Sequence, residues 1–233
     1  MPEQTKTIMA VGAHTGDSQL TCGMLLAKHA MRGDRVILLD LTAGERGAPP
    51  SMNVDEFRAK NAADAELFAQ TIGGESIVFD TPDGELYPSQ ALELKLARTM
   101  REKQVTNVLF HWQNSIHKDH TAAHVITQNA VFYASLPTFP SDLPPAPIGR
   151  CMFAENWEDA EEFKPYYYFD VTDAFPLWKD AIKHLWLAEH STSFKYLRYY
   201  EALSIVRGAI IHADHATAFA TTDFGKRQTL DVL

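Results

Sequence analysis

The sequence predicts an α/β fold in which a mainly parallel sheet is flanked by helices. Three observations carry that expectation. Short apolar runs of the kind buried on both faces recur along the chain, stretches of helical period separate them, and the spacing is that of βαβ units. With 233 residues and 45% hydrophobic content, the chain can form one sizeable core, so residues 1–233 are expected to make a single domain.

Thr7 to Gly12 (Thr-Ile-Met-Ala-Val-Gly) reads as the first strand. From Ser18 to Arg32 the spacing turns helical, with Leu20, Met24, Leu25 and Ala27 apolar and Gly33 as a stop. Arg35 to Leu41 is a second buried strand, and Thr42 to Gly47 a glycine-punctuated loop at its carboxyl end. Asp55 to Ile72 is a helix closed by Gly73-Gly74, and Ser76 to Asp80 is a strand entering the turn Thr81-Pro82-Asp83-Gly84. Leu92 to Lys103 is amphipathic, Asn107 to His111 is a fourth strand, and Thr121 to Ser135 is helical. Leu136 to Gly149 holds five prolines and reads as a loop, a candidate cover for the site. Cys151 to Ala154 and Tyr166 to Val171 are β-prone, the aromatics of the second being expected to pack in the sheet. Leu177 to Glu189 and Tyr196 to Gly208 are helical by period, and the tail after Ala220 is weakly patterned. The whole order is Rossmann-like.

The formal charge of −9 argues against a nucleic-acid partner, since binding a phosphate backbone requires a basic surface. No apolar stretch approaches the ~20 residues needed to span a bilayer. Met1 to Thr7 shows no secretory pattern, and a cytoplasmic protein is expected. Cys22 and Cys151 lie far apart and fit no disulfide framework; Cys22 reads as a small core residue.

Two turns concentrate the chemistry. His14 and Asp17 follow the first strand, and His117-Lys118-Asp119-His120 follow the fourth. Imidazole and carboxylate both bind divalent transition metals, and in open α/β sheets ligands gather at the carboxyl ends of the strands. Glu45, Asp83 and His111 fall on that same edge. A rival reading is dinucleotide binding, with Asp40 ending the second strand. Against it, Gly12-Ala13-His14-Thr15-Gly16-Asp17 lacks the glycine spacing, and Asp17 would oppose a pyrophosphate at the helix N-terminus.

These residues resemble the PIG-L/LmbE family of zinc-dependent N-deacetylases, which act mainly on N-acetylglucosamine-type groups. Ala13-His14-x-x-Asp17 is similar to that family's A-H-P-D-D, and Thr42 to Gly47 to its T-x-G-E-x-G. Arg58, Asp83-Gly84 and His117-Lys118-Asp119-His120 (for H-P-D-H) follow in order, as does Asp170-Val171-Thr172 with Lys179 and Ala181. The resemblance implies an LmbE-like fold and a Zn2+ ion, or another divalent transition metal, on His14, Asp17 and His120. It also implies His117 as electrophile or general acid with Asp119 orienting it, and Arg58 and Asp83 as substrate contacts. The implied substrate is a small sugar-like amide, and a homo-oligomer is expected.

Three positions depart from the family. Gly16 stands where the aspartate general base is usual, Asn61 where the helix carries glutamate, and Thr217 where glutamate is frequent. Either Glu45, His117 or Asp119 takes over as base, or the chain keeps a metal site and has become a pseudoenzyme or ligand-binding protein. A nucleotide-binding protein is the third alternative. Of the other histidines, His29 and His190 read as structural or surface residues, His124 as a supporting group, and His212 and His215 lack a spacing argument.

Overall fold

The computed structural model describes residues 5–227. Most of the amino-terminal stretch read for a leader, and the end of the weakly patterned tail, lie outside the described residues. Five strands run parallel at the centre of the molecule. They are β1 (Thr7–His14), β2 (Arg35–Thr42), β3 (Glu75–Val78), β4 (Asn107–His111) and β5 (Arg150–Ala154). With β6 (Tyr167–Asp170) and β7 (Ala216–Ala220) they form a seven-stranded sheet in the order β3-β2-β1-β4-β5-β7-β6. β7 runs antiparallel to both β5 and β6.

The alternation of strand side chains builds two cores. Ile8 and Ala10 of β1 and Val36 and Leu38 of β2 face one cluster, closed by α2 (Gly23–Met31), α3 (Val54–Ile72) and Trp178 of α6 (Phe175–Ala181). Met9, Val11, Ile37 and Leu39 face the other, closed by α4 (Gln90–Lys103) and α5 (Lys118–Ser135). Burial on both faces is the reason these strands read as unbroken apolar runs.

Four features differ from the sequence expectation, each for an identifiable physical reason. The helix expected over 18–32 is two, α1 (Asp17–Thr21) and α2, broken at Cys22. Thr21 Oγ1 donates to the Asp17 carbonyl at 2.7 Å, and Gly23 passes so close under Phe68 and Trp178 that a Cβ would meet both at 2.8 Å. The helix expected over 177–189 breaks at the extended residue Leu185, giving α6, a 3-10 turn and α7 (Trp186–His190). β7 reads Ala-Thr-Ala-Phe-Ala, too poor in β-branched residues to be recognised alone, and is formed by pairing between two neighbours. Finally, the proline-rich segment 136–149 does not cover the strand ends. Its Leu136 and Leu143 carbonyls accept from the Arg101 guanidinium on α4, and Ala146 N–H donates to Ala134 on α5.

Trp178 is fully buried and its Nε1–H donates to the Gln19 carbonyl at 2.9 Å, tying α6 to α1 beneath the strand ends. Trp178→Ala is expected to cost about 3–5 kcal/mol in urea denaturation.

Candidate active site

β1 ends at His14 and β4 at His111, adjacent strands at the point where strand order reverses. The Ala13 N–H donates to His111 Nε2 at 3.0 Å, so that nitrogen is a lone pair and Nδ1 carries the proton. His111 Nδ1 donates to Asp159 Oδ2 at 2.8 Å, and His120 Nδ1 donates to Asp159 Oδ1 at 2.9 Å. Asp159 is 0% exposed. Burial pushes its carboxyl up, but His111 and His120 more than reverse this and hold it at about 2. One ionised carboxylate therefore orients two imidazoles.

His120 is left with a lone pair on Nε2, 3.4 Å from Asp17 Oδ2. His14 presents the same arrangement turned around. Its Nε2 faces Asp83 Oδ1 at 3.2 Å and Asp119 Oδ2 at 3.3 Å, so Nε2 carries the proton and the Nδ1 lone pair lies 3.3 Å from Asp17 Oδ2. Two imidazole lone pairs thus converge on one carboxylate oxygen, which the His14 N–H also meets at 2.8 Å. Burial opposes charge on His14, yet Asp119, Asp17 and Asp83 hold it well above the usual imidazole range. Burial likewise opposes charge on Asp17, and His120, His111 and His14 pull it well below the carboxylate range. Both shifts reflect the close pairing of imidazoles with carboxylates in this buried cluster.

Three sets of ligating atoms lie within 4.8 Å of one another: His14, His117 and His120; Asp17, His111 and His120; and His14, Asp83 and Asp119. The expected trio, His14, Asp17 and His120, is none of these sets; it is spread across them, with Asp17 Oδ2 3.3 Å from His14 Nδ1 and 3.4 Å from His120 Nε2. Nitrogen and carboxylate oxygen with outer carboxylates fixing each tautomer are the donor chemistry a divalent transition metal requires.

His117 caps the N-terminus of α5 and accepts the Asp119 N–H on Nδ1 at 3.2 Å, which leaves an Nε2–H. Burial and then the nearby His14 and His120 lower its pKa, keeping the ring neutral. It meets His14 edge to face and stacks on His120, with centroids 4.8 Å apart in both cases. The Asp119 carboxylate does not orient His117 as expected. It faces His14 and accepts the Gly84 N–H at 2.8 Å, so the backbone of Asp119, not its side chain, holds His117.

Glu45 and Arg58 stand outside the cleft lining. The Arg58 guanidinium pairs with buried Glu45 Oε1, which also accepts the Asp83 N–H at 2.9 Å. The two residues brace the loop that presents Asp83 to the site. Asn61 donates to the Ala43 carbonyl at 2.8 Å in the same region. Asp40 is buried against Gln19 (2.8 Å) and Ser18 (3.2 Å), and burial with the Asp17 charge pushes it up to about 7. It is therefore closed to a ribose.

A cleft of about 730 Å³ opens over the cluster, lined by His14, Gly16, Asp17, Asp83, His117 and His120, with Trp157, Trp186 and Tyr196 among its aromatic walls. Glu158 also lines it, with Oε2 3.5 Å from His120 Nε2, and burial with the charges of Asp17 and Asp159 raises its pKa. Glu158 and Asp159 were missed in the sequence because no motif marks them. The available signal was an acidic pair just past the carboxyl end of β5, on the edge where the histidines gather. His124 supports the site from behind, its Nδ1 2.9 Å from the His111 carbonyl. His215 bonds Ser204 at 2.8 Å, Thr217 sits on β7, and neither lines the cleft.

Gly16 lies between His14 and Asp17 with φ +115°, and a Cβ there would overlap the Leu187 Cδ2 methyl. Its N–H is held by Gln19 Oε1 at 2.8 Å. The backbone disfavours a side chain at this position, and one placed there would have to displace the Leu187 methyl.

Fold and cluster together describe an α/β protein with a histidine–carboxylate centre at the carboxyl edge of its sheet. The profile of the family described as GlcNAc-PI de-N-acetylase, PIG-L, matches residues 9–131, more than half of the sequence, and the chain belongs to that family. Three solved structures show the same fold. The 4-carboxy-2-hydroxymuconate hydratase GalB of Pseudomonas putida KT2440 aligns with TM-score 0.86 and 20% identity, over 98% of this chain and 100% of its own. The N,N'-diacetylchitobiose deacetylase of Pyrococcus horikoshii aligns with TM-score 0.80 and 21% identity, over 93% and 84%. The conserved protein TT1542 of Thermus thermophilus gives 0.78 and 24%, over 97% and 96%. No helix among the described residues is long and apolar enough to cross a membrane.

Two outcomes follow from the bracing of the site. Arg58→Met, which strands the buried Glu45 carboxylate, is expected to lose about 1–3 kcal/mol in denaturant titration. Gly16→Ala is expected to lose a similar ~1–3 kcal/mol from backbone strain alone. Adding Leu187→Ala recovers only the part due to overlap.

Proposed function

We propose that the protein is a metal-dependent hydrolase that removes the acyl group from an N-acylated small molecule, a sugar-like acetamide being the favoured substrate. The observation that carries this reading is the convergence of the His14 Nδ1 and His120 Nε2 lone pairs on Asp17 Oδ2. His14, Asp17 and His120 would hold the ion. When bound, a divalent metal supplies Lewis acidity and makes hydroxide available at neutral pH.

The remaining work falls to the chain's own groups. His117, neutral and bearing Nε2–H, is placed to donate to the oxygen that gains charge as the amide carbonyl is attacked. Proton removal from the attacking water needs an acceptor. Glu45 and Asp119 are buried and neither lines the cleft, Glu45 being paired through Oε1 with Arg58 and Asp119 through Oδ2 with His14 and Gly84. Glu158 is the cleft carboxylate left beside His120, and we assign it as the base in place of a residue at 16. Asp83 borders the substrate space, and Arg58 acts through Glu45 rather than on substrate.

A second reading is suggested by the full-length likeness to GalB, named as a hydratase. On that reading the same centre would add water to a conjugated double bond, with no amine to expel.

The zinc-loaded protein is expected to bind about one ion per chain and to release acetate from N-acetyl sugars. His14→Ala and His120→Ala abolish both. Glu158→Gln is expected to lower kcat ~10²–10⁴-fold while keeping metal stoichiometry. Loss of a conjugated enoate's ultraviolet absorbance without acetate release would establish the hydratase reading. Metal binding without either activity would identify a pseudoenzyme.

A further inference from the structure

The cleft has a closed end and an open end. Ile116 and Lys118, 76% and 66% exposed, stand at the mouth beside Arg46. Leu20 and Tyr200, each 4% exposed, lie at the closed end with Gly16 and Leu187. Leu187 reaches in from α7, whose position is set from α3: the Trp186 N–H donates to Asp64 Oδ2 at 3.2 Å, and Phe57 packs edge-on against the Trp186 ring at 5.1 Å. Leu185, one residue before Trp186, is buried, and Leu187 itself packs on the core cluster that contains Leu20 and Tyr200. The Leu187 methyl therefore stands directly over the backbone of the turn between His14 and Asp17, and its position sets the free space at that end of the cleft.

This geometry constrains any amide that reacts at the cluster. The carbonyl carbon must lie beside His14, Asp17 and His120, with its oxygen toward the His117 Nε2–H. The amine side carries the bulk of the molecule and its polar groups, so it extends to the mouth. The acyl substituent is then directed to the closed end, where Leu187, Leu20 and the Tyr200 ring line the cleft and the Tyr200 hydroxyl is a buried polar atom. We propose that Leu187 determines acyl specificity, admitting an acetyl methyl and rejecting longer chains. The proposal rests on the hydrolase reading above, and extends it to the acyl group.

The test compares acetyl, propionyl and butyryl amides of one amine with the zinc-loaded wild type, Leu187→Ala and Leu187→Met. A methylene that must be accommodated in or excluded from an apolar pocket is worth ~10–200-fold in kcat/KM. The wild type is expected to favour acetyl over butyryl by at least ~10-fold, Leu187→Ala to shift that ratio toward butyryl by at least ~10-fold, and the volume-conserving Leu187→Met to keep it. A parallel binding readout uses the product acids, and calorimetry should show butyrate gaining on acetate in Leu187→Ala. If the wild type hydrolyses amides but the ratio is unchanged in Leu187→Ala, the proposal is overturned while the hydrolase reading stands. If no amide is hydrolysed and the acid preferences also do not move, both fall.

Discussion

The buried carboxylate of Asp159 is the interaction on which the centre depends. It leaves the end of β5 and holds His111 from β4 and His120 from α5, fixing the tautomer of each with one oxygen. A charge removed from water at this depth persists only when it is paired, and these two imidazoles are its partners. Because His111 also accepts the Ala13 N–H, the arrangement locks β1, β4 and β5 together at their carboxyl ends. The direction of the His120 Nε2 lone pair, and so the point at which a cation fits, follows from a residue that itself stays behind the cluster.

A second constraint runs through α7. The turn between His14 and Asp17 takes a backbone conformation suited to glycine, and Leu187 fills the space above it. These two facts reinforce each other. A carboxylate introduced at 16 would be opposed by the backbone and would have to displace the neighbouring methyl. The acidic groups of the site are instead distributed around its rim, with Asp83 and Asp119 on His14, Asp159 behind His120, and Glu158 in the cleft wall. The centre is therefore rich in carboxylates although none stands at position 16.

Much of this was legible in the chain because periodicity is a local signal. The central strands, buried on both faces, announced themselves as apolar runs, and the two histidine motifs fell at their ends. What was not legible depends on contacts distant in sequence. Glu45 and Arg58 read as cleft residues, yet they pair with each other across a separation of 13 positions, outside the cleft lining. Asp119 read as the partner of His117 two residues earlier, but helix capping turned the backbone, and not the carboxylate, toward that ring. Asp159 and Glu158 lie in an unpatterned turn whose meaning appears only when β5 is set beside β4. β7 has so little intrinsic preference that its strand state comes wholly from its neighbours.

The central claim is that His14 Nδ1, Asp17 and His120 Nε2 share one divalent ion. Anomalous diffraction at the zinc edge from crystals soaked in zinc tests it most directly. A single strong peak is expected about 2.0–2.2 Å from those three ligands, with His120 Nδ1 still on Asp159. A peak seated instead among His14 Nε2, Asp83 and Asp119, or no peak at the cluster, would contradict it.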